Sequence, residues 1–144
     1  ESQNGAITYR ESIEIAPLTG GTGSATDIAW SPNGSFMYVA DMINGRIWVF
    51  DTKTREKVGS IGRPGRYAGQ FHWLHSLDAD SEGNLYATEV HTGQRVQKLV
   101  FLGVEEFVSG TRFPRLVLCL PPYNSISSST LLESLHIVQL AMLT

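Results

Sequence analysis

Apolar and polar residues alternate in short runs along the first two-thirds of the chain, and each run closes on a glycine-bearing turn. Ile28 and Trp30 face one way along a first strand, Pro32-Asn33-Gly34 turns the chain, and Met37 to Ala40 forms a second strand. Asn44-Gly45 turns it again, Ile47 to Phe50 forms a third strand, and Lys57 to Ile61 forms a fourth after the charged corner Asp51 to Glu56. The pattern then recurs at an offset of 48 or 49 residues: Gly34 with Gly83, Tyr38 with Tyr86, Asp41 with Glu89, Arg46 with Arg95. In the second unit Glu82-Gly83 and Thr92-Gly93 supply the turns, Val96 to Leu102 is the third strand, and Glu106 to Val108 is a weakly written fourth.

Four short antiparallel strands repeated at that period are the signature of β-propeller blades. The expected fold is therefore all-β, with blades at residues 22–65 and 66–108, a partial flanking blade strand at 1–21 and an atypical tail at 109–144. Two blades do not close a ring, so the chain reads as an incomplete ring. Pairing with the missing blades of a longer chain, or self-association through flanks bearing Trp48 and Phe50, would cover its open faces.

The tail breaks the rhythm. After Glu106 only Arg112, Arg115 and Glu133 are charged. Leu116 to Leu120 predicts a buried strand stopped by Pro121-Pro122, and Thr130-Leu-Leu-Glu133 is a capping-box pattern ahead of the apolar stripe Leu131, Leu132, Leu135, Val138 and Met142. That stripe predicts a short helix, with an extended strand through His136 to Leu140 as the alternative.

Composition narrows the function classes. The 144 residues are 42% hydrophobic and 17% charged, which suits one core, and the net charge of −3 offers no basic excess for nucleic acid. Cys119 is the only cysteine, so neither a disulfide framework nor a multi-cysteine zinc site can form within the chain. No apolar run reaches the roughly 18 residues a membrane helix needs, and the Glu-Ser-Gln-Asn-Gly start reads as a mature or truncated end. The expected partner is a peptide, a protein or a small molecule, with no nucleic acid and no membrane.

The two units resemble the NHL-repeat propellers through Asp27 to Gly34, Tyr38-Val-Ala-Asp41, Asn44-Gly-Arg46-Ile47, and their counterparts Gly83, Leu85-Tyr-Ala-Thr-Glu89 and Gln94-Arg95-Val96. A narrower resemblance, over residues 67–99 from Tyr67-Ala-Gly-Gln-Phe-His-Trp-Leu-His75-Ser-Leu77, is to the peptidylglycine alpha-amidating lyases, zinc-dependent propellers of the same type. It implies His75 as a zinc ligand, zinc or calcium as cofactor, and a secreted or periplasmic setting. The chain departs from that family at Asp41-Met42-Ile43, where the family's catalytic Tyr is missing, and at Glu89-Val90, where its Arg is missing. No catalytic residue is carried over, so the first expectation is a binding scaffold, with a metal-dependent lyase as the alternative.

Antiparallel connectivity brings the start of strand one and the loop between strands two and three to one rim. His72, Trp73, His75, Glu89 and His91 are thus the candidate ligand-binding set, with Asp41 on the neighbouring blade and His75 the candidate metal ligand. Asp41 with Arg46, and Glu89 with Arg95, read more simply as structural clamps on that loop. Trp30 and Trp48 sit within strands and predict packing, whereas Trp73 stands beside histidines. The basic stretch Arg46 to Arg66 reads as edge protection, and Gly20 to Gly23 and Gly62 to Gly65 lack the Lys-Ser/Thr and helix of a phosphate loop. Ser125 to Ser129 and Cys119 lack the surroundings of a nucleophile.

Overall fold

The β-branched and aromatic runs form strands, as their alternation predicts. A computed structural model describes residues 7–19, 23–105, 115–119 and 137–138. Its strands are β1 (Ser24–Trp30), β2 (Phe36–Asp41), β3 (Arg46–Asp51), β4 (Lys57–Ile61), β5 (Leu74–Ala79), β6 (Leu85–Glu89), β7 (Arg95–Glu105), β8 (Arg115–Cys119) and β9 (Ile137–Val138). Among the described residues there is no helix. One antiparallel sheet runs β1-β2-β3-β4; the other runs β5-β6-β7 and continues through the backbones of β8 and β9.

The sheets share more than strand order. Each opens on a bulged first strand, with the register slipping between Ser24 and Asp27 in β1 and between Leu74 and Ser76 in β5. Strands β1 and β5 lie against one another, so the sheets meet at their first strands. Tyr38, Ala40, Ile47, Val49 and Ile61 of the first sheet pack there on Leu74, Leu77, Leu85, Ala87 and Leu99 of the second. Burying each Leu, Ile or Val side chain of this set stabilises the fold by about 1.5–3 kcal/mol.

The linker between β4 and β5 doubles back on itself. Phe71 N–H donates to Arg63 O at 2.9 Å, Gly65 N–H donates to Phe71 O at 3.1 Å, and the Phe71 ring, 1% exposed, plugs the core. Gly45 makes room for this fold: a Cβ there would stand 2.8 Å from both Pro64 Cα and Phe71 O, and its φ is +54°.

Two expectations change. Residues 7–19, expected as a partial blade strand, form no strand; they lie as an irregular segment with Ile13, Ile15 and Ala16 on Val39, Trp48 and Phe50. Trp48 and Phe50, expected on an unmatched flank, are 8% and 2% exposed because this segment covers them. The C-terminal helix lies mostly outside the described residues, and Ile137–Val138 within it pair with β8 as strand β9. Glu106 to Val108 also lies outside the described residues; β8 is the next strand beside β7.

Candidate functional site

The turns β2–β3 and β6–β7 and the β4–β5 linker converge on one rim, because they lie at matching strand ends. Between the sheets at this rim is a cleft of about 190 Å³ lined by Met42, Ile43, Gly45, Pro64, Phe71, His72 and Trp73. Trp73 forms its outer wall. The indole stacks on His91 at 5.1 Å and 24°, and His72 meets it edge-on at 6.2 Å and 89°. Its backbone sits at φ +61°, where a bulky side chain costs about 1–3 kcal/mol, and Val90 N–H donating to Trp73 O at 3.0 Å helps hold it there. Trp73 nonetheless keeps 38% of its surface exposed.

Behind this wall, Glu89 organises the linker. Its Oε2 accepts His72 N–H at 2.7 Å, while Oε1 accepts Arg95 Nε at 2.6 Å and Gln97 Nε2 at 2.7 Å. Gln97 also donates to Gln70 O at 2.8 Å and accepts Gly69 N–H at 3.0 Å. Arg95 donates through Nη2 to Gln70 O at 2.6 Å and through Nη1 to Arg66 O. The Glu89–Arg95 clamp is therefore present, and both carboxylate oxygens are used internally. Gln97 was not singled out in the sequence, although an amide within the apolar run Val96 to Leu102 is the signal that could have found it.

The other clamp is corrected. Asp41 and Arg46 are cross-strand neighbours, yet no ion pair joins them. Asp41 Oδ1 accepts Ser24 Oγ at 3.1 Å and Asn44 N–H at 3.0 Å; Oδ2 accepts Asn44 Nδ2 at 2.6 Å and Trp48 Nε1 at 2.8 Å. Burial pulls the Asp41 carboxyl upward, but the hydrogen bonds from Asn44, Trp48 and Ser24 outweigh it and hold the group below 3.8. Neutral donors from Asn44, Trp48 and Ser24 satisfy the buried acid, and Arg46 lies instead over Trp48, 5.0 Å from the ring centroid, with its Nε buried and without a hydrogen-bond partner.

The histidines do not converge with Glu89. His72 Nε2 is 2.8 Å from Thr92 Oγ1, His91 is stacked on Trp73, and His75 is exposed in the β5 bulge. Zinc or calcium, implied by the resemblance, does not fit this donor set: Glu89 has both oxygens engaged, and no group of three His, Cys, Asp or Glu side chains suited to a metal occurs among the described residues. Trp30, expected to pack, is 53% exposed at the end of β1.

One polar contact was missed altogether. Asp27 Oδ2 accepts Ser76 Oγ at 2.5 Å and Leu77 N–H at 2.8 Å, so a carboxylate from β1 grips β5. At the opposite rim a second cleft of about 190 Å³ is lined by Pro32, Phe36, Tyr38, Gly83, Phe101 and Val104 among others. Burial pushes the Tyr38 phenol there up to about 12. That cleft lacks the indole and imidazole of the first. No protein-family model matches the chain.

Proposed function

We propose that this chain is part of an NHL-type β-propeller and serves as a binding scaffold whose ligand seat is the Trp73 cleft. Two sheets of like strand order, meeting at their first strands and bulged at corresponding places, support the propeller reading. The observation that carries the binding reading is Trp73: an indole that keeps 38% of its surface exposed while lining an apolar cleft with Met42, Ile43 and Phe71. A scaffold role needs no catalytic group, in keeping with a rim whose two carboxylates are both buried in structural bonds.

A ¹⁵N–¹H spectrum titrated with single-ring fragments tests this reading. Shifts gathered at Gly45, His72, Trp73 and Leu74 are expected. Shifts gathered instead at Ser31 to Phe36 and Ser81 to Gly83, or no shifts at all, would overturn it.

A further inference from the structure

We propose, resting on the reading of the Trp73 cleft as the ligand seat, that its ligand class is a single aromatic ring carrying a carboxylate. Size comes first. At about 190 Å³ the cleft is smaller than the roughly 300–1,000 Å³ of sites for drug-sized ligands, so one ring fills it. Its lining suits a ring, with Met42, Ile43, Phe71 and the Trp73 indole around it.

Charge then selects among rings. The segments that build this rim, residues 41–46, 62–75 and 89–95, carry Arg46, Arg63, Arg66 and Arg95 against only Asp41 and Glu89. Both acids are buried and committed to protein donors. Arg95 is paired with Glu89, and Arg46 stacks on Trp48. Arg63 and Arg66 remain exposed, and among the described residues neither is in an ion pair. Arg66 Nη1 donates to Thr92 O at 2.9 Å, and the Thr92 hydroxyl is 2.8 Å from His72 Nε2, which ties this guanidinium to the imidazole lining the cleft. The rim is thus locally positive in a chain whose net charge is −3. A carboxylate at the mouth of the cleft meets uncompensated cations, while an amine meets repulsion.

The test compares 3-phenylpropionate, its neutral amide and phenethylamine by ¹⁵N–¹H titration of the full chain and of Arg66→Gln. The acid is expected to bind about two- to fivefold more tightly than the amide at low salt, the range an exposed ion pair supplies. The amine is expected to bind weakest, and the preference for the acid to shrink at high salt. Arg66→Gln is expected to lose that preference while still binding the amide. Equal affinities for acid and amide, with shifts still centred on Trp73, would overturn the charge selection and leave the ligand seat standing. Failure of all three probes to shift Gly45, His72 and Trp73 would overturn both.

Discussion

Asp27 and Ser76 occupy corresponding positions in the first strands of the two sheets, and the carboxylate of one accepts the hydroxyl hydrogen of the other at 2.5 Å. With Leu77 N–H on the same oxygen and Ile28 N–H on Oδ1, Asp27 is a polar rivet between two apolar layers. Asp27→Ala leaves the Leu77 amide and the Ser76 hydroxyl without this acceptor. The expected loss is about 1–2 kcal/mol, read as a lower urea midpoint with unchanged slope.

The same rivet predicts acid sensitivity. Burial raises the Asp27 carboxyl, but the bonds from Ser76, Leu77 and Ile28, with the charge of His75, bring it below 3.8; Asp41 is lowered in the same direction. Folded values below the unfolded value mean that both contributions are complete above 3.8 and are lost as pH falls through the folded values. Stability measured from pH about 6 downward should be flat and then fall below about pH 4, and the fall should be shallower in Asp27→Asn.

Asp41 and Arg46 should behave as strangers. Asp41→Ala strips the acceptor from Asn44 and the Trp48 indole and is expected to cost about 2–3 kcal/mol, whereas Arg46→Ala costs about 1 kcal/mol or less from lost stacking. Because both touch Trp48, a double-mutant cycle in thermal unfolding should return a coupling that high salt leaves unchanged. A coupling that shrinks at high salt would restore the ion-pair clamp.

For Glu89 and Arg95 the expectation is the opposite. The carboxylate is fully buried and the guanidinium 28% exposed, and both hold the linker that carries His72 and Trp73. Glu89→Gln should cost about 2–3 kcal/mol and broaden the amide signals of Gln70 to Trp73. Unchanged signals there would show that the linker is held by other contacts.

Trp73→Gly separates strain from binding. Glycine adopts φ +61° freely, so relief of about 1–2 kcal/mol offsets the lost stacking on His91, and the melting temperature should stay nearly level. Binding of aromatic fragments at the rim should disappear. Fragment binding that survives the substitution would place the ligand elsewhere.

Removing residues 1–19 exposes Val39, Trp48 and Phe50. Concentration-dependent association in sedimentation velocity is expected of the shortened chain, since an apolar sheet face of that kind seeks a cover. A shortened chain that stays monomeric at every concentration would show that the segment covers nothing needed.

Strand positions were legible because a half-buried strand writes its two faces directly into alternate residues, and turn glycines such as Gly34, Gly45 and Gly83 punctuate the runs. Glu89 with Arg95 was legible for a related reason: the two are register partners across one hairpin. The same register pairing misled at Asp41, because Trp48 and Asn44 compete there for the same carboxylate, and neutral indole and amide donors reach it inside the hairpin. Contacts between distant segments left no local mark. Nothing near Asp27 announces Ser76, nothing near Ile13 announces Trp48, and Trp73 differs from a core tryptophan only through the turn that carries it and the linker that folds beneath it. Alternation fixes which face a side chain takes, but what waits on that face is decided by how the two sheets and their linker pack in three dimensions.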